Sequence, residues 1–181
     1  MRITGGVHRG RIIKVPDGLE VRPTQDRVRE ALFNIIQNEI RGARFLDVFA
    51  GSGAVGLEAL SRGAASAVFV ERSARQIAFI RSNSEMLRLA PEIIQADAYQ
   101  YLAGFAGQPF DIVYADPPYA LGEEQGFETV LKNLVGRNVL KPGGLFIAET
   151  TFRIKAEDLP DWDLCRDREY GKTRLVIWKR K

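Results

Sequence analysis

Two stretches of the chain combine residue types and spacings that could do chemistry. In Phe45-Leu46-Asp47-Val48-Phe49-Ala50-Gly51-Ser52-Gly53-Ala54-Val55-Gly56, three glycines fall in G-x-G-x-x-G spacing, and Glu71 follows Gly51 by twenty residues. Glycines at a strand-to-helix turn let a ligand reach the backbone, although they also serve close packing. Ala115-Asp116-Pro117-Pro118-Tyr119 is the more specific signal, setting a carboxylate, two residues without backbone N–H and an aromatic ring in succession. On their own, the prolines could do no more than end a strand.

Asp47 narrows what the glycine loop would hold. A carboxylate beside the loop repels a pyrophosphate and attracts an ammonium group, and no Lys or Arg lies between Arg44 and Arg62 to neutralise phosphate. The loop therefore suits S-adenosylmethionine, which carries an amino-acid end, better than NAD or ATP. Phe49, Ala50, Gly51, Ser52 and Gly53 would line the cofactor, and Glu71, followed by Arg72, could accept from both ribose hydroxyls. In Gln95-Ala96-Asp97-Ala98, Asp97 could accept from the adenine amine or cap a helix, roles that are compatible, and Ala98 offers its backbone N–H.

Periodicity places both stretches at strand ends. Phe45–Val48, Ala67–Glu71, Glu92–Gln95, Phe110–Ala115 and Leu145–Glu149 read as strands, with helical patterns over about 54–62, 74–89, 97–103 and 123–135. Such alternation predicts a mostly parallel sheet covered on both faces, with its ligand site outside the strand carboxyl ends. Runs around Trp162–Arg168 and Thr173–Trp178 meet at Tyr170-Gly171-Lys172 and predict an antiparallel hairpin at the sheet edge. At the other end, Arg2–Gly6 and Gly10–Val15 predict two short strands around a basic, glycine-rich turn. Thr24 is placed as the N-cap of a helix through about Glu39, with Val28, Leu32, Ile35, Ile36 and Ile40 on one face. The chain thus divides into an extension, 1–40, and a main domain, 41–181. Phe33, Phe69, Phe79 and Phe146 read as core.

With 181 residues, 45% hydrophobic and 27% charged, the chain has an ordinary globular composition and about one domain's length. One cysteine, Cys165, excludes an internal disulfide framework, and a single histidine, His8, argues against a metal site. His8 needs no catalytic role. No apolar run approaches the ~20 residues of a membrane helix, and the first residues lack a signal-peptide core, so the expected location is the cytoplasm. The net charge of +3 conceals an asymmetry. Residues 1–44 carry nine Lys/Arg against five Asp/Glu, 45–165 carry ten against sixteen, and 166–181 carry seven against two. Basic ends around an acidic middle suit a polyanion gripped at the ends, although terminal Lys/Arg also serve solubility.

The glycine loop with Asp47, Glu71 after the second strand and Asp-Pro-Pro-Tyr after the fourth resemble the class I S-adenosylmethionine-dependent methyltransferases that act on exocyclic amines of nucleobases. Further runs narrow the resemblance to the RsmD family, which methylates a guanine amine in the RNA of the bacterial small ribosomal subunit. They are His8-Arg9-Gly10-Arg11, Val21-Arg22-Pro23-Thr24-Gln25-Asp26-Arg27-Val28-Arg29-Glu30-Ala31-Leu32-Phe33-Asn34, Leu57-Glu58-Ala59-Leu60-Ser61-Arg62-Gly63 and Tyr170-Gly171. The similarity covers nearly the whole chain. It implies a Rossmann-like α/β fold, with a seven-stranded, mostly parallel sheet whose last strand is antiparallel.

The resemblance also implies that the target base lies against Asp116, Pro117, Pro118 and Tyr119. A guanine amine is a poor nucleophile because its lone pair is delocalised. Asp116 and the Pro117 carbonyl could accept its two N–H bonds and direct the lone pair, while Tyr119 stacks on the extruded base. Arg2, Arg9, Arg11 and Lys14 suit RNA phosphates, joined by Arg22, Thr24, Arg27 and Tyr170. Arg27 and Arg29 could instead pair with Asp26 and Glu30 on a solvated face, and Tyr170 could simply pack. The expected partner is small-subunit ribosomal RNA, as an assembled or assembling particle, bound by a monomer. Asp-Pro-Pro-Tyr alone would equally suit a DNA adenine methyltransferase, and a non-catalytic RNA-binding protein is the remaining class. The two differ from the first reading in whether methyl transfer requires DNA or is absent.

Overall fold

The computed structural model describes residues 1–16, 23–117, 123–150 and 159–181, with the side chains of 23–25 and 123–126 outside the description. The elements run α1 (Pro23–Ile35), β1 (Arg44–Asp47), α2 (Ala54–Ser61), β2 (Ser66–Glu71), α3 (Ala74–Leu87), β3 (Glu92–Gln95), α4 (Ala98–Ala103), β4 (Phe110–Ala115), α5 (Glu123–Gly136), β5 (Leu140–Thr150), β6 (Trp162–Tyr170) and β7 (Thr173–Arg180). The strands form one sheet in the order β3-β2-β1-β4-β5-β7-β6. β1 to β5 pair in parallel, and β7 lies antiparallel to both β5 and β6.

The central strands are apolar on both faces because helices cover both. Alternate residues divide between two layers. Phe45, Phe69, Ile112, Tyr114, Leu175 and Ile177 pack with Leu32 and Phe33 of α1, Leu57 of α2 and Ile80 of α3. Leu46, Val68, Val70, Val113, Val176 and Trp178 pack on the opposite side with Leu102 of α4 and Val130 of α5. Ile3 and Ile13 of the first sixteen residues belong to the first layer, fully buried.

Caps set where the helices begin. Gly53 enters α2 in the left-handed region at φ 82°, the Ser73 hydroxyl accepts from the Gln76 N–H at the start of α3, and the Asp97 carboxylate accepts from Tyr99 and Gln100 at the start of α4. Arg88, at φ 55°, ends α3 before residue 89.

Several details differ from the sequence reading. α1 begins at Pro23, a favoured first helical residue, so Thr24 lies inside the helix rather than capping it. The helix also stops at Ile35, where an i−3 bond from the Glu39 N–H to the Ile36 carbonyl tightens the chain into turns, although Ile36 and Ile40 remain buried. The N-terminal hairpin is present as a single antiparallel bridge, Arg2 with Ile12. Its middle is turn rather than strand because Gly6 and Gly10 take positive φ, and Gly6 presses so close to the Ser61 carbonyl that a Cβ would sit 1.8 Å from it. The late hairpin forms as expected, but only β6 is the edge, because β7 inserts beside β5. The burial follows, with Leu175–Trp178 wholly buried and most of β6 exposed. Phe79 is only half-buried.

Candidate active site

Sheet order reverses between β1 and β4, the position where an open α/β sheet leaves a crevice beyond its strand ends. Here the crevice is a cleft of two lobes, of about 200 and 460 Å³, joined at Phe49, Gly51, Gln76 and Asp116. Together they have the volume of a small-molecule site. Asp47, Phe49, Ala50, Gly51, Ser52 and Asp116 line the first lobe. Phe49, Gly51, Glu71, Arg72, Asp97, Ala98, Asp116 and Pro117 line the second.

The glycine loop has a built-in opening. Gly51 takes φ 53°, and a Cβ there would meet no protein atom within 4 Å, so the space before it is free for a ligand. Gly53 and Gly56 serve packing instead. A Cβ on Gly53 would lie 3.2 Å from Ile80, one on Gly56 would strike the Phe69 ring at 2.3 Å, and neither residue lines the cleft.

The carboxylates are held by backbone donors. Asp47 is buried, and its Oδ2 accepts from the Gly56 N–H at 3.1 Å. Its Oδ1 and the Gln76 Oε1 are buried without a partner among the described residues. Two buried acceptors on one cleft wall are costly unless a donor arrives, and an ammonium group would satisfy Asp47. Burial, with Asp116, Glu71 and Glu149 nearby, pushes the Asp47 carboxyl up to about 8 despite the Gly56 bond. Glu71 accepts from Gly51 N–H at 2.9 Å and Ser73 N–H at 2.8 Å, leaving a lone pair on each oxygen for hydroxyl donors. The Asp97 cap uses only Oδ1, at 3.0 and 3.1 Å, so Oδ2 is available to the cleft. The Phe49 and Tyr99 rings meet edge to face at 5.6 Å.

Asp116 follows β4, and burial together with Glu149 raises its carboxyl to about 7. Pro118, Tyr119 and Arg22 lie outside the described residues, as does the Thr24 side chain. Arg2, Arg9, Arg11, Lys14 and Arg27 are exposed and do not line the cleft. Tyr170 is half-buried, packed against the first core layer.

Sequence reasoning missed several cleft residues. Arg29 is not on a solvated face. It is buried, with Nε 3.2 Å from Glu58 and Nη2 bound to Asp26 at 3.0 Å and to the Arg2 carbonyl at 2.6 Å, and it reaches the cleft wall. Met1, Val15 and Pro16 bring the N-terminal extension to the same wall. Asn83 of α3 fixes that extension, accepting from Lys14 N–H and donating to the Lys14 carbonyl at 2.8 Å, and to Ser52 at 3.3 Å. Tyr114 and Glu149 complete the first lobe. Position at a strand carboxyl end was the available signal for both.

The family model described as Conserved hypothetical protein 95 matches residues 1–179. The ribosomal RNA small subunit methyltransferase D of Escherichia coli (strain K12) is 36% identical over 189 residues, spanning 100% of this chain and 90% of that protein. The solved Escherichia coli yhhF structure is also 36% identical, covers 100% of this chain and 98% of that one, and superposes with a TM-score of 0.89. The Thermus thermophilus 16S rRNA N2 methyltransferase RsmC, solved with AdoMet and guanosine, reaches a TM-score of 0.72 at 22% identity over 92% of this chain and 45% of that one, which shows a shared fold.

Proposed function

We propose, from the premise that this chain belongs to the Conserved hypothetical protein 95 (RsmD) family, that it transfers a methyl group from S-adenosylmethionine to the exocyclic N2 amine of a guanine in small-subunit ribosomal RNA. The observation that carries this reading is the joining of the Asp47 acceptor and Asp116 in one cleft at the β1/β4 switch point. S-adenosylmethionine would supply an electrophilic methyl carbon on a sulfonium.

The residues divide the remaining work. Asp47 Oδ1 holds the ammonium end, with Gln76 Oε1 a second acceptor nearby; Glu71 takes the ribose hydroxyls; Asp97 and Ala98 meet the adenine edge, with Phe49 against its face. Gly51, Ala50 and Ser52 let the ligand pass along the backbone, and Arg72 borders the ribose side. Asp116 and the Pro117 carbonyl accept the two N–H bonds of the target amine, which orients the lone pair and stabilises the charge that nitrogen gains. Pro117 restrains Asp116 by fixing its own φ and limiting the residue before it. Pro118 belongs to the same recognition run, and Tyr119 stacks on the extruded base.

Arg2, Arg9, Arg11 and Lys14, with Arg22, Thr24, Arg27 and Tyr170, form the RNA-contacting set, and residues 1–40 act as the recognition extension on the 41–181 methyltransferase domain. An assembled or assembling small subunit in the cytoplasm, bound by a monomer, is the substrate this surface suits. No described helix is long and apolar enough to cross a membrane, and no described cluster of His, Cys, Asp and Glu could hold a metal.

The test is transfer of labelled methyl to undermethylated small subunits, protein-free ribosomal RNA and duplex DNA in parallel. Label in subunits or RNA, mapped to a guanine N2, is expected. Label confined to DNA would retain the cofactor and sink the RNA reading; none in any acceptor would favour a binding role. Asp116→Ala is expected to lose at least about 100-fold in kcat, the scale of a lost charge-stabilising group, while calorimetry finds cofactor affinity nearly unchanged.

A further inference from the structure

Glu149 is not part of the Asp-Pro-Pro-Tyr run or of the cofactor loop, yet the fold sets it beside Asp116. β4 and β5 are parallel with Ala115 opposite Ala148, so Asp116, the first residue past the end of β4, lies level with Glu149, which is still within β5 and opposite Leu175 of β7. Both line the first lobe of the cleft. The buried Tyr114 hydroxyl donates to Glu149 Oε1 at 2.8 Å. We infer that Asp116 and Glu149 work as a carboxyl pair that receives the proton shed by the substrate amine, with Glu149 acting through Asp116 as a positioning residue and Tyr114 holding Glu149 in place. The inference rests on the methyl-transfer reading above.

The step balances without another reactant. The amine nitrogen forms a bond to the methyl carbon while the carbon–sulfur bond breaks, leaving its electron pair on sulfur. Nitrogen, now positive, loses one N–H proton to the ionised member of the pair, and the N–H electrons return to nitrogen. The proton then passes to water as product leaves.

The surroundings suit a shared proton. Asp47 of β1 lies on the same cleft wall, its own carboxyl raised to about 8, while Arg29 of α1, already bound to Glu58 and Asp26, supplies a positive field at Glu149. Two carboxyls in a partly enclosed site resist joint ionisation, so the pair gives up its two protons in separate steps and its singly ionised form can accept one. Both carboxyls are raised, Asp116 by burial and the charge of Glu149, and Glu149 by burial against the Tyr114 bond and the Arg29 charge. Tyr114 is held well above its ordinary range by burial and remains a donor.

Carboxyl carbon NMR of the cofactor-free protein, combined with the pH dependence of kcat, tests the pair. Glu149→Gln removes a like charge while keeping the shape, so the Asp116 titration and the acid limb of kcat are both expected to fall by about one pH unit. Tyr114→Phe removes a bond that favours ionised Glu149, so the Glu149 titration is expected to rise. An Asp116 titration unmoved by Glu149→Gln, or a Glu149 titration unmoved by Tyr114→Phe, would overturn the pair. Because NMR needs no substrate, a protein that methylates nothing would sink the functional reading while the titrations still decide whether the pair exists.

Discussion

Asp47 carries the clearest thermodynamic signature in the molecule. Its carboxyl is raised from 3.8 to about 8 by burial. Between those values the folded protein binds a proton that the unfolded chain has released, so the Asp47 contribution to stability is full below about pH 4 and declines as pH rises toward 8. Asp47→Asn keeps an acceptor for the Gly56 N–H and has no charge to bury. It should therefore raise the cofactor-free Tm at pH 8, by about 2–4 °C for each kcal/mol recovered, and change it little at pH 4. Equal Tm differences at both values would contradict the buried-charge account. Gly51 tests the other side of the loop. Gly51→Val introduces a side chain whose Cβ meets no protein atom within 4 Å but occupies the ligand's approach, in a backbone conformation that valine resists. Calorimetry should find cofactor affinity reduced by about tenfold or more; wild-type affinity would mean that no ligand passes there.

Between elements, the decisive contact is around Glu58. This fully buried carboxylate on α2 accepts from Arg29 of α1 at 3.2 Å, from Arg62 at 2.8 Å, and from the Thr4 hydroxyl and N–H at 2.6 and 2.8 Å. Two segments distant in sequence, the N-terminal stretch at Thr4 and α1 at Arg29, are thereby bound to the helix that follows the glycine loop. Each carboxylate oxygen receives two donors, which is what makes a buried charge tolerable. Glu58→Ala would leave Arg29 buried with only Asp26 as its acidic partner, and should cost about 3–5 kcal/mol. A urea midpoint shifted by much less would show that the network relaxes. The same arrangement corrects a helix-face argument: i,i+3 spacing correctly pairs Arg29 with Asp26, but the buried guanidinium is also bound to Glu58, a residue 29 positions away.

Across the whole molecule, charge is arranged by segment. The exposed Arg9 and Arg11 sit on an extension whose Ile3 and Ile13 are sealed into the core, so their guanidiniums project from a fixed base. Replacing both with Glu should weaken RNA binding and flatten its dependence on salt by a slope of about two, with cofactor affinity unchanged. Unaltered binding and slope would remove the hairpin from the RNA surface. The sheet order also governs aggregation risk. β7 is interior, so the edge opposite β3 belongs to β6, where Asp163, Arg166, Arg168 and Glu169 are exposed and the register shifts between Leu164 and Arg166. Charges and a bulge on an edge discourage pairing with a second sheet.

Alternating apolar runs, glycine turns and proline stops were enough to determine the strand positions, the α/β class and the placement of Asp47, Glu71, Asp97 and Asp116 at strand ends, because these follow from local period and turn chemistry. The strand order, and with it the insertion of β7, depends on long-range pairing. So do the burial of Arg29, the unpartnered acceptors of Asp47 and Gln76, and the meeting of Asp116 with Glu149. Nothing within a few residues of Glu149 distinguishes it from an ordinary end-of-strand glutamate. Its neighbour in space is chosen by the register of two parallel strands joined through a helix, and its proton affinity by the charges that this register encloses. Tertiary structure alone decided those properties, because desolvation and Coulomb interaction depend on distance through the fold rather than along the chain.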